Sequence, residues 1–151
     1  MTAGRRRDGA RRGQALVEFS LVLVPFLFLL MGIVDLGRGI YVNNGVAQAA
    51  REIARVTSVH PCSAGSCTLG NSTETTAVVN TQKGLVPGLA DPAATIAFQC
   101  VDVRDQNLSN TACTSGDFAR VTVGVTFSVV TPLLGLGNPY TLTSVSHVQL
   151  P

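Results

Sequence analysis

The sequence predicts an α+β protein: a long N-terminal membrane-spanning helix with a small antiparallel β-sheet head packed on its exposed half. Three observations support this class. An arginine-rich start is followed by an apolar run over residues 14–34, helical periodicity continues beyond that run, and alternating apolar residues dominate the C-terminal third. We therefore divide the chain into a leader (1–13), a span (14–34), a helix extension (35–58) and an α+β head (59–151).

The leader carries most of the positive charge. Five arginines and Asp8 give residues 1–13 a net charge of +4, and the remaining residues sum to −2 within a total of +2. Positive residues that flank a span stay on the cytoplasmic side, which places the head outside. Charge confined to a terminal leader argues against nucleic acid as a partner. With no apolar period, this leader is predicted to be unstructured.

The span and its extension are predicted to form one helical unit. Residues 14–34 would make a helix of about 30 Å, which matches the hydrocarbon thickness of a bilayer. Pro25 should bend or loosen it. No Ala-x-Ala site precedes Asp35, which argues against a removed signal peptide. Beyond it the helix should continue to about Thr57, partly unwound where glycines 37, 39 and 45 occur.

The head is predicted to contain one short helix and three or four strands. The helix covers residues 73–84, with Asn71 or Ser72 as its cap and Val78 and Val79 facing inward. Strand patterns cover residues 94–103, 118–130 and 140–150, and a polar loop over 105–116 joins the first two.

The cysteines indicate disulfides. We expect Cys62 to pair with Cys67 and Cys100 with Cys113, because each pair closes a short polar loop on the oxidising side. Four cysteines allow three pairings, and zinc with His60 is the competing interpretation. Since neither spacing is that of a zinc knuckle, no metal site is predicted.

Catalytic patterns are scarce. The two histidines, His60 and His147, lie at a helix end and near the C-terminus, where structural or surface roles suit them best. The glycines of residues 135–139 lack the following helix of a dinucleotide loop. We therefore predict no enzymatic activity and no cofactor.

The junction Arg11-Arg12-Gly13-Gln14-Ala15-Leu16-Val17-Glu18-Phe19 resembles the processing site of type IV pilin-like proteins. With Pro25, the Gly-Ile-Val-Asp-Leu-Gly-Arg run at 32–38 and the Ala-Ala-Arg-Glu-Ile-Ala-Arg run at 49–55, it resembles more closely the TadE-like pseudopilins of tight-adherence pilus systems. The resemblance is strong over residues 11–55 and weakens to a similar order of elements beyond.

The resemblance implies cleavage between Gly13 and Gln14 by a membrane aspartyl prepilin peptidase on the cytoplasmic side. Glu18 matches the fifth-position carboxylate of related pilins, which is thought to pair with the new terminal amine of a neighbouring subunit. Gln14 replaces the phenylalanine usual at the first position of major type IV pilins, which leaves methylation of that amine open.

The favoured function is that of a minor pseudopilin of the inner membrane, which takes part in pilus assembly or initiation. Its partners would be the membrane, other pilin and pseudopilin subunits, the prepilin peptidase and the pilus assembly platform. The alternative is a single-pass signal-anchored extracytoplasmic binding protein, for which Gly13 would be dispensable. A secreted enzyme would require a mature form that begins near Asp35.

Overall fold

One uninterrupted helix is the longest element of the structure. The computed structural model describes residues 5–62, 68–111, 113–131 and 139–151, with helix side chains described from residue 13 onward. Helix α1 extends over Arg5–Val59, 55 residues in all, which corresponds to about 80 Å at 1.5 Å per residue. Its outer end lies two residues beyond the predicted one.

Two predictions about this helix were wrong. The leader was expected to be unstructured, but α1 already begins at Arg5, because arginine and alanine are good helix formers and extend an existing helix at low cost. The glycines were expected to unwind the extension, but α1 is continuous through them. A β-carbon at Gly39 would lie 3.7 Å from the Phe127 ring, and one at Gly45 would lie 3.4 Å from Val86, so packing against the head outweighs low propensity there.

Helix α2 covers Thr73–Leu85 and follows the prediction closely. Ser72 is its N-cap, and its side-chain oxygen accepts a hydrogen bond from the Thr75 backbone N–H at 3.0 Å. Thr75 is fully buried and lies 3.4 Å, oxygen to oxygen, from the Thr57 hydroxyl of α1. The cap therefore also fixes α2 against the outer end of α1.

The head contains a four-stranded antiparallel sheet. Strands β1 (Thr95–Val101), β2 (Asn107–Leu108), β3 (Phe118–Phe127) and β4 (Tyr140–Gln149) lie in the order β2-β1-β3-β4. The three predicted strands are present with shorter ends. Strand β2 was missed because it is a two-residue strand within the polar loop, with too few positions to show alternation.

The main core lies between α1 and the sheet. The fully buried face of α1 consists largely of small or branched residues: Val46, Ala49, Ala50, Ile53 and Ala54. It packs in one cluster with the inward-facing β3 residues Val121, Val123 and Val125. Small residues allow close approach of the helix to the sheet, so the predicted α+β arrangement is confirmed.

A smaller cluster stabilises the far end of the sheet. Leu69, Cys100, Ala119 and Leu150 are buried together, with Cys113 packed against them. Cys100 and Cys113 form a disulfide, as the short loop between them suggests. Cys62 is also disulfide-bonded. Its predicted partner, Cys67, lies outside the described residues.

The two edges of the sheet differ. Beside β1, the Asn110 side chain donates to the Phe98 carbonyl at 2.8 Å and accepts from the Cys100 N–H at 3.0 Å. On the other edge, no strand in the described part of the chain pairs with the outer side of β4. The start of β4 borders a cleft with residues 36–43 of α1, and its end borders Val59. Strand β4 therefore runs in the same direction as α1.

We expect Ile53→Ala to destabilise the head by about 2–5 kcal/mol, because it opens a cavity in the fully buried contact between helix and sheet. Denaturant unfolding of the full chain in detergent, followed by near-ultraviolet circular dichroism, measures the change. Ile33→Ala removes the same atoms from a side chain that is 58% exposed and is the matched control. Equal stability of the two variants would contradict the described core.

Candidate functional site

The inner half of α1 is an apolar surface without a protein partner among the described residues. Its most apolar window of 18 residues has a mean hydropathy of 2.5, and none of it is buried. Large side chains cover it on all sides, including Leu16, Phe19, Leu21, Phe26 and Leu29. The core helix of a water-soluble protein would be buried, so this half has the length, composition and exposure of a membrane anchor.

The predicted processing junction lies on this exposed half. Gly13 and Gln14 are both exposed and occupy consecutive positions of α1. A β-carbon at Gly13 would meet no atom within 4 Å. The junction is therefore open to a large partner from the side.

Glu18 is the acidic residue of the predicted intersubunit pair. It is exposed one turn beyond Gln14, between Val17 and Phe19, which are 67% and 61% exposed. Among the side chains that the structure describes, none forms an ion pair or hydrogen bond with it. A carboxylate on an apolar helix surface is costly in lipid. Glu18 is therefore suited to pair with a positive charge from outside the described part of its own chain.

A second carboxylate, Asp35, fastens the head to the helix. It directly follows the apolar segment and is only 4% exposed. One of its oxygens accepts hydrogen bonds from the Thr131 N–H at 2.7 Å and the Thr131 hydroxyl at 2.5 Å. The Val130 N–H donates to both oxygens at 3.1 and 3.2 Å. The chain leaving β3 is thereby held against α1.

These donors favour the charged form of the carboxyl group. The hydrogen bond from the Thr131 hydroxyl, followed by those from the Thr131 and Val130 backbone and by the charge of Arg38, lowers the pKa of Asp35 below its ordinary value of 3.8. Arg38 lies 3.4 Å from Asp35 and also stacks over Phe127, with 5.4 Å to the ring centroid. The contribution of Asp35 to stability is therefore complete above about pH 4 and is lost as the pH falls through the lowered pKa.

Sequence reasoning did not assign this role to Asp35. From the sequence, Asp35 was interpreted as the first residue of the helix extension. The backbone donors to its carboxylate lie 95 and 96 positions away. The available signal was an acidic residue at the end of an apolar run, with an arginine three positions later.

A cleft of about 640 Å³ opens beside Asp35, between α1 and the sheet. Its lining is mainly apolar and comes from the helix (Gly32, Leu36, Gly39, Ile40), the end of β3 and the segment after it (Phe127, Val129), and the start of β4 (Tyr140, Leu142). Because it includes Gly32, the cleft is continuous with the exposed span.

A separate group of charged side chains lies on the surface of the sheet. Arg120 hydrogen-bonds to Asp105 and thereby lowers the pKa of that carboxyl group, and His147 lies 3.8 Å from the same carboxylate. His60 is exposed at the end of α1. Within the described ranges, no three metal-ligating side chains come together.

Comparison with known families addresses the segment that contains the junction, the span and Asp35. Residues 13–55 match the family model described as TadE-like protein. The resemblance predicted from the sequence is thus confirmed for this TadE-like segment, and it indicates involvement in a tight-adherence pilus. No curated protein and no solved structure matches the chain. The TadE-like segment ends within α1, so the match does not extend to the head.

We expect Asp35→Ala to lower the melting temperature of the full chain in detergent, because it leaves the Val130 and Thr131 donors without their acceptor. Amide hydrogen exchange at residues 130 and 131 should accelerate. Arg38→Ala removes only the half-exposed partner and should have a smaller effect. Unchanged exchange in Asp35→Ala would show that the carboxylate does not hold this segment.

Proposed function

We propose that this protein is a minor pseudopilin of a tight-adherence pilus, which takes part in pilus assembly or initiation after removal of residues 1–13. The supporting observation is a TadE-like segment whose inner half is an unburied apolar helix and whose outer half carries a folded head. One continuous helix that serves both parts is what a subunit needs if it anchors in a membrane and presents a domain outside it.

The proposed arrangement follows the charge distribution. Residues 1–13 form a basic leader on the cytoplasmic side of the inner membrane, residues 14–34 span it, and residues 35–58 continue outside to the head at 59–151. The Cys100–Cys113 disulfide is consistent with an extracytoplasmic head. Proposed partners are other pilin and pseudopilin subunits, the prepilin peptidase and the assembly platform. The protein would assemble rather than catalyse.

Processing would create a positively charged partner for Glu18. Cleavage after Gly13 removes the five arginines and leaves a positive amine on Gln14. Along the axis Glu18 lies about 6 Å from Gln14, so a neighbouring subunit shifted by roughly one helical turn would bring its amine level with this carboxylate. Pairing two charges offsets part of the cost of removing each from water.

The second candidate is a single-pass signal-anchored binding protein of the extracytoplasmic space. The exposed span and the folded head would serve it equally well. It differs in one respect, because an ordinary anchor has no requirement for glycine at residue 13 or for acid at residue 18.

We expect the wild-type chain to begin at Gln14 in cells that contain a prepilin peptidase, and Gly13→Leu to retain its leader, because the new side chain occupies the space beside the scissile bond. Intact-protein mass spectrometry of the membrane fraction distinguishes the two forms. Gly37→Leu is the matched control, since a β-carbon at Gly37 also meets no atom within 4 Å. A wild-type chain that still begins at Met1 or Thr2 would refute processing.

We expect Glu18→Gln to reduce incorporation into sheared pili several-fold without affecting processing, because the amide cannot neutralise a terminal amine in lipid. Immunoblots of pilus and membrane fractions measure the distribution. Glu74→Gln, on exposed helix α2 of the head, makes the same chemical change away from the span. Normal incorporation of Glu18→Gln would remove the pairing role.

A further inference from the structure

An apolar surface formed by the helix extension and the head lies directly beyond the span. Leu36, Ile40, Val130 and Tyr140 form what we call the interfacial surface, and they are 66%, 53%, 73% and 38% exposed. Leu36, Ile40 and Tyr140 line the cleft beside Asp35, and Val130 is held there by its hydrogen bonds to Asp35. Within the described part of the chain, none of these four side chains belongs to the buried core clusters.

Helix geometry fixes the height of this surface above the span. At 1.5 Å per residue, Ile40 lies about 9 Å beyond Val34, the last residue of the span, and Asp35 directly follows Val34. The headgroup region of one leaflet is about 5–8 Å thick. Thr131 and Val130 bond to the Asp35 oxygens at 2.7–3.2 Å, so the start of the chain after β3 is at the same height. The interfacial surface thus begins at the level of the lipid headgroups, and Ile40 lies at their outer limit.

The backbone next to this surface is already adapted to an environment poor in water. The N–H groups of Val130 and Thr131 both point at Asp35, and the Thr131 side chain is 3% exposed. Val130 directs its apolar side chain outward instead. Backbone donors close to hydrocarbon need an internal acceptor, because lipid offers none.

We propose that the head rests on the outer leaflet, with the interfacial surface among the lipid headgroups and acyl chains in the cleft. This inference depends on the membrane anchoring within the proposed function. The apolar cleft is continuous with the span at Gly32, so lipid that surrounds the span reaches it directly. Tyrosine favours this depth in membranes, and the half-exposed Arg38 can extend its charged end towards lipid phosphates.

The chain contains no tryptophan, so single tryptophans report local depth without background. Val130→Trp reports on the interfacial surface and Phe28→Trp on the span. Val103→Trp is the matched control, because Val103 is 77% exposed and lies at the end of the sheet away from the span. It directly follows β1, whose last residue is level with Gln149 at the end of β4. The full chain is reconstituted into phosphatidylcholine vesicles with lipids brominated near the top of the acyl chains.

We expect bromine to quench Val130→Trp several-fold more strongly than Val103→Trp, with aqueous iodide giving the opposite order. If bromine quenches Phe28→Trp but quenches Val130→Trp no more than Val103→Trp, the inference is wrong and the membrane anchor still holds. An unquenched Phe28→Trp would refute both.

Two further readouts remove ambiguity. If Val130→Trp is shielded from iodide in proportion to protein density but is not quenched by bromine, a second copy covers the surface and the inference is wrong. Leu36→Trp repeats the measurement from the helix side of the cleft, and circular dichroism verifies that each variant folds as the wild type does.

Discussion

Close packing of the outer half of α1 against the sheet is the constraint on which the rest of the structure depends. Ala49, Ala50 and Ala54 bring the helix near the β3 valines, and Ile53 fills the space between. Because α1 is unbroken, this contact also fixes the direction of the span relative to the head. A substitution in the core of the head would therefore change the direction of the span relative to the head.

Polar contacts secure the docked helix at both ends. Near the membrane, Asp35 holds the chain that leaves β3. Near the outer end, the Thr57 hydroxyl donates to the Ile53 carbonyl at 2.8 Å and meets Thr75 beneath the cap of α2. Apolar packing alone would allow a helix to slide, and directional hydrogen bonds at each end specify one register. Head and helix extension thus share one core that has hydrogen bonds at both of its ends.

Local patterns in the sequence located most of the elements but did not reveal the contacts between them. Period-two alternation located β1, β3 and β4, and Ser72 marked the start of α2. Continuity of α1 through Gly39 depends on contact with Phe127, which no local window contains. The role of Asp35 depends on donors more than ninety residues away. Glu18 could be predicted as a candidate site residue because a carboxylate within an apolar segment is itself a local feature.

The outer edge of β4, which pairs with no strand among the described residues, has a consequence for self-association. This ten-residue strand contains no lysine, arginine, aspartate, glutamate or proline, the residues that usually prevent edges from joining. Two such edges would join most readily in antiparallel fashion. Because β4 runs along α1, that union would point the two transmembrane segments in opposite directions. If all copies insert in one bilayer with the proposed topology, they cannot form this pairing, and the anchor then protects the protein from this route to aggregation.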